Sequence, residues 1–179
     1  MIKKIALAVV ATVVAAIALL LAYAATRPDS FSVQRSTVIR APADKIQPLI
    51  ADLHRFNAWN PFNKKDPSIK LTYTGPASGR GAGFDFAGNS EVGQGRIVVV
   101  DAQPAKVTMT LDMTAPMAAH NNVEFTLTPQ GDGTQVTWAM RGAQPFIGKL
   151  MGLVFNIDRM IGSEFEAGLA DLKREAEKT

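Results

Sequence analysis

The sequence predicts an α+β domain in which a curved antiparallel β-sheet surrounds a long C-terminal α-helix, with one transmembrane helix in front of it. Three observations carry this reading. Residues 5–26 (IALAVVATVVAAIALLLAYAAT) hold no charged side chain. From Ser68 to Gln144 apolar residues tend to alternate with polar ones, as in strands with one face on a core and the other in water. After Gln144-Pro145 the apolar spacing becomes three or four residues, the pattern of an amphipathic helix.

The first segment has the length of a membrane span. A bilayer core takes about 20 apolar residues as helix, and this run is 22 residues long with no amphipathic stripe. Lys3 and Lys4 precede it and Arg27 follows it. The basic pair places residues after Arg27 on the non-cytoplasmic side, periplasmic or extracellular, under the positive-inside tendency. Ala22-Tyr23-Ala24 also fits a signal-peptidase site, and cleavage after Ala24 would give a secreted form. The apolar stretch from Ile5 to Ala22 exceeds the roughly 7–15 residues of a usual signal-peptide core, which favours an uncleaved anchor. The chain therefore divides into an anchor or signal peptide at 1–27 and one folded domain at 28–179.

Composition narrows the function classes. The chain has no cysteine, which rules out disulfides, thiolate metal sites and cysteine nucleophiles. Its net charge is +3, but removing Lys3 and Lys4 leaves 17 basic against 16 acidic residues. With no basic run or stripe, a nucleic-acid partner has no electrostatic support. Composition leaves the oligomeric state open.

Arg27-Pro28-Asp29-Ser30 reads as an exit linker. Phe31 to Arg40 alternates, with Phe31, Val33, Arg35, Thr37 and Ile39 on one side, and predicts a strand carrying one interrupting charge. Pro42 suits the first turn of a short helix reaching Ile50. A second short helix runs from about Asp52 to Phe56, and Asn60-Pro61 stops it, because a residue before proline avoids helical angles. Strands follow at Ser68–Tyr73, Gly81–Ala87, Gly93–Asp101, Lys106–Met113, Asn122–Thr128 and Thr134–Arg141. Gly131-Asp132-Gly133 forms a hairpin turn between the last two. Leu150, Val154, Ile157, Ile161, Phe165, Leu169 and Leu172 then mark one long helix from Pro145 to Lys173, with a bend near Gly162.

Four segments carry a family resemblance. They are Ser36-Thr37-Val38-Ile39-Arg40-Ala41-Pro42-Ala43-Asp44-Lys45-Ile46; Phe56-Asn57-Ala58-Trp59-Asn60-Pro61-Phe62; the strand Gly133 to Gly142 (GTQVTWAMRG); and Asp158 to Gly162 with Phe165 to Leu169. In order and spacing the chain from about Phe31 to Lys173 resembles the START/SRPBCC superfamily, in particular its polyketide cyclase/dehydrase-like branch. The resemblance implies the helix-grip (START/Bet v 1-like) fold, with a deep cavity between sheet and long helix for apolar or amphipathic small molecules. It implies no particular reaction, since lipid carriers, hormone receptors, cyclases and chaperone activators share the superfamily.

Candidate chemistry is sparse. His54 and His120 each lack a second ligating residue at helical spacing, so neither a metal nor a cofactor is expected. The glycine clusters at 79–83 and 93–95 match no phosphate-binding fingerprint and mark turns or bulges. His120, Asp158 and Arg141 are the weak catalytic candidates. Six of the seven methionines lie between residues 109 and 160, and methionine suits adaptable binding surfaces. With the cavity that the resemblance implies, the ligand-binding candidates are Trp59, Phe84, Phe86, Met109, Phe125, Trp138, Met140, Met151 and Phe155. The leading expectation is a membrane-anchored domain, held by residues 5–26, that binds a hydrophobic small molecule or lipid. The alternatives are a polyketide cyclase/dehydrase-type enzyme and a regulatory interaction module for a membrane partner.

Overall fold

The computed structural model describes residues 2–178. Helix α1 (Ile2–Ala25) comes first and carries no charged residue after Lys3 and Lys4. Its side chains stand away from the domain: ten Ile, Leu and Val residues between Ile5 and Leu21 are 40–72% exposed, and contact with the domain begins near Ala24, which is fully buried. From Lys3 to Ala25 the helix is long and apolar enough to cross a membrane.

Strand β1 (Ser30–Ile39) follows. Helix α2 (Ala43–Ala51) starts after Pro42, and α3 (Leu53–Trp59) starts after Asp52, whose carboxylate accepts the His54 and Arg55 amides. That is the N-cap role in which aspartate is strongly preferred. Asn60-Pro61 ends α3 as expected, but it also opens a further helix, α4 (Pro61–Lys65). The Asn60 side chain accepts the Phe62 amide at 3.2 Å, and Pro61 fits the first helical position, where its missing N–H costs nothing.

Six strands follow: β2 (Lys70–Thr74), β3 (Gly83–Ala87), β4 (Gln94–Gln103), β5 (Lys106–Ala115), β6 (Ala119–Gln130) and β7 (Gly133–Ala143). They form one antiparallel seven-stranded sheet in the order β1-β7-β6-β5-β4-β3-β2. Gln130 pairs with Gly133 across the predicted hairpin, and Gly131 takes a left-handed φ of 57° there.

The predicted single C-terminal helix is two helices, α5 (Phe146–Val154) and α6 (Ile157–Ala176). The interruption falls at Phe155-Asn156, where both residues are extended, and not at Gly162. Asn156 caps α6 by accepting the Arg159 amide at 2.9 Å. Helical spacing ran through the break because both helices are amphipathic, although they turn their apolar stripes to different surroundings. Helix α6 buries Phe165, Leu169, Leu172 and Ala176 and packs on β1, β7 and α2–α4. Two close approaches seat it. A side chain at Gly168 would meet Trp138 at 2.7 Å, and one at Gly162 would meet the Arg35 guanidinium.

Arg35, the charge interrupting the inward phase of β1, reaches α6. Its Nε lies 2.7 Å from Glu166 and its Nη2 2.8 Å from Asp158. Both carboxylates hold the guanidinium charged, shifting its pKa upward, and Arg35 in turn holds Asp158 below the usual carboxylate range.

Candidate functional site

Strand alternation sends Phe84, Phe86, Met109, Val123, Trp138 and Met140 to the face covered by α6. Towards one end of the strands this space is filled. Trp59 stands edge-on to Phe125 and Trp138, 6.0 and 5.7 Å away between ring centres. Phe165 stacks on Trp138 at 4.1 Å. The Trp59 indole donates to the Leu49 carbonyl at 2.8 Å, whereas the Trp138 indole nitrogen is buried without an acceptor among the described residues.

Beyond that aromatic cluster the space opens into a cavity of about 270 Å³. Its sheet wall carries Phe84 and Phe86 from β3, Ile97 from β4, Met109, Leu111 and Met113 from β5, Asn121 and Val123 from β6, and Trp138 and Met140 from β7. Phe56, Phe62, Ile161 and Phe165 close it from the helices, with Asn60, Asn63, Ile69, Glu91 and Val92 also on the lining. The wall is dominated by aliphatic, aromatic and thioether groups, as in pockets for small apolar ligands. Glu91 is the one titratable side chain on it among the described residues.

The rim is held by a buried carboxylate. Asp66, 5% exposed, accepts the Ser68 hydroxyl at 2.6 Å, the Ser68 amide at 2.9 Å and the Asn89 amide at 2.6 Å. These bonds, led by the hydroxyl, lower its pKa below the usual value. The Asn89 side-chain oxygen in turn accepts the Glu91 and Val92 amides, and its Nδ2 donates to the Lys65 carbonyl at 3.1 Å. The β3–β4 loop that brings Glu91 and Val92 to the cavity is thereby tied to the end of α4.

Of the nine predicted ligand contacts, Phe84, Phe86, Met109, Trp138 and Met140 line this cavity. Trp59 and Phe125 lie in the packed cluster beside it, 2% and 0% exposed. Met151 on α5 is outside and exposed. Phe155 borders a second cleft, of about 500 Å³, with Arg27, Lys149 and Asp158. His120, Asp158 and Arg141 do not meet. The His120 ring nitrogen Nδ1 is 2.5 Å from Asp112 on the outer side of the sheet, Asp158 pairs with Arg35, and Arg141 is exposed on β7.

Sequence reasoning missed Asn121. It shares the inward phase of Val123 and Phe125, is 6% exposed and borders the cavity. A polar residue at an inward position of an otherwise apolar run was the readable signal. Phe62, Asn63 and Ile69 carried no such signal, because they come from the unexpected α4 and the loop after it.

Comparison with known proteins agrees with this architecture. The family described as polyketide cyclase / dehydrase and lipid transport matches residues 30–177. No curated protein matches the sequence. Among solved structures, a Chromobacterium violaceum protein is 14% identical, with 86% of this chain and all of that one covered at a TM-score of 0.60. The di-domain ARO/CYC StfQ from the steffimycin biosynthetic pathway is 14% identical, with 83% of this chain and 51% of that one covered at a TM-score of 0.62. Ginseng major latex-like protein 151 from Panax ginseng is 10% identical, with 84% of this chain and all of that one covered at a TM-score of 0.59. At these identities the likeness is one of fold.

Proposed function

This chain belongs to the polyketide cyclase/dehydrase and lipid transport family, and from that premise we propose that it binds a hydrophobic small molecule or lipid at a membrane surface. The observation that carries the reading is the apolar cavity of about 270 Å³ between the sheet and α6. Pockets for drug-sized ligands run from roughly 300 to 1,000 Å³, so the volume suits a compact ring system or a single acyl chain. Asn121 is the polar contact that would orient it.

Helix α1 supplies the membrane address. Removing one Leu, Ile or Val side chain from water contributes about 1.5–3 kcal/mol, and α1 presents ten of them. A bilayer satisfies that surface along its full length. With Lys3 and Lys4 on the cytoplasmic side, the cavity would face the non-cytoplasmic leaflet.

The binding test is a titration of the full-length chain in detergent with a fluorescent fatty acid, beside Leu111→Trp, which fills the cavity from β5. The wild type binds at one site per chain, and the variant stays folded but binds at least about tenfold more weakly, a loss of about 1.4 kcal/mol. Equal binding by both proteins would remove the cavity from the account.

A cyclase- or dehydrase-type enzyme stands second. The family description supports it, and Glu91 offers a proton-transfer group on the lining. The apolar wall favours binding over proton chemistry, which needs a titratable group within hydrogen-bond reach of the reacting atom. A regulatory module with a filled interior has least support, because the cavity is open.

A further inference from the structure

Helix α5 has its polarity reversed for a surface helix in water. Its single charged residue, Lys149, points inward, 8% exposed, with Nζ 2.5 Å from Asp29. Leu150 and Leu153 are half-buried, and its other large apolar residues point outward. Phe146, Ile147, Met151 and Val154 are 43–78% exposed, and Phe155 after the helix is 50% exposed. Ile147, Met151 and Val154 follow the i, i+4, i+7 spacing that makes one continuous stripe, and the sequence from Phe146 to Val154 puts no acid or second base beside them.

The position of α5 says what covers that stripe. It packs against α1, and Ala24, in the last turn of α1, is fully buried. Tyr23 and Arg27 stand at the same exit, with the guanidinium 6.0 Å from the ring centre. Aromatic and basic side chains of this kind sit at headgroup level where a span leaves the bilayer. A helix lodged against that exit lies at the same depth as the headgroups.

We propose that α5 is a second membrane contact, lying in the interface with Ile147, Met151 and Val154 in the acyl boundary. Interfacial helices bind this way, apolar face down, with strength set by the apolar area they bury. The proposal rests on the reading of α1 as the anchor. It adds that the domain is docked on the bilayer and does not swing from the Arg27–Ser30 linker.

The absence of cysteine makes a clean test available. Ile147→Cys, Met151→Cys and Val154→Cys are labelled singly with an environment-sensitive fluorophore in the full chain, reconstituted in phosphatidylcholine–phosphatidylglycerol vesicles. Asp132→Cys, on the β6–β7 turn, is the water-exposed reference. The expected result is blue-shifted emission at the three α5 sites and several-fold stronger quenching by spin-labelled lipid than at Asp132. Alkaline carbonate extraction of the same vesicles reports on α1 separately. Carbonate-resistant protein whose α5 labels match Asp132 overturns the docking and leaves the anchor standing. Extractable protein with water-exposed labels overturns both. Lipid-quenched labels on extractable protein support α5 and overturn the anchor.

Discussion

Asn121 is the residue whose surroundings ask most of a ligand. It sits opposite Gly142 in the β6–β7 register, and a Cβ at Gly142 would come 2.0 Å from the Asn121 side-chain oxygen. The glycine therefore leaves room for the amide on the inner face of the sheet. The amide borders the cavity, so a ligand oxygen or hydroxyl placed there gains a hydrogen bond that a hydrocarbon cannot offer. Asn121→Leu should lower affinity for an oxygen-bearing ligand by up to about tenfold, since a net hydrogen bond contributes about 0.5–1.5 kcal/mol. It should leave the affinity for a pure hydrocarbon unchanged or raised. Competition titrations with a fatty alcohol and the matching alkane check the difference.

At this scale strand phase was legible and depth was not. Alternation correctly turned Phe84, Phe86, Met109, Phe125, Trp138 and Met140 inward. It could not tell that Phe125 meets Trp59 in a packed cluster while Val123, two residues along the same strand, borders open space. That distinction depends on which helix side chain stands above each strand position, and periodicity carries no such information.

Among the elements, α4 and the β3–β4 loop set the cavity rim through Asp66. Its carboxyl has a folded-state pKa below the unfolded one, so its contribution is fully present above the unfolded value and is lost as pH falls through the folded value. An NMR titration should find the Asn89 and Ser68 amide resonances constant from neutral pH down to about pH 4, near the model-peptide pKa of aspartate, and moving only below it. Asp66→Asn should show the loosened loop already at neutral pH, with faster amide exchange at Glu91 and Val92. A midpoint within the ordinary carboxylate range, or an unchanged loop in Asp66→Asn, would contradict the latch.

Element boundaries explain what the sequence hid here. Asn60-Pro61 was legible as a stop, yet the same two residues start α4, because an asparagine before proline caps a helix as readily as it ends one. The α5–α6 break at Asn156 was masked by an unbroken apolar spacing. The two stripes differ in what covers them: the α6 stripe meets the sheet, while the α5 stripe is exposed.

For the whole molecule, the arrangement is a family fold with a hydrophobic cavity, behind a helix that the domain leaves exposed. The order of elements and the change of apolar period at Pro145 were enough to foresee the sheet and its covering helix. The ligand was not legible, because an apolar wall selects by shape and volume and few of its residues have a chemistry of their own. Native mass spectrometry of the full-length chain, purified in detergent and offered an extract of its host membranes, tests the central claim most directly. The account predicts one apolar molecule retained per chain, and its loss from Leu111→Trp. A wild-type chain that emerges empty, or a variant that retains the same molecule equally well, would contradict it.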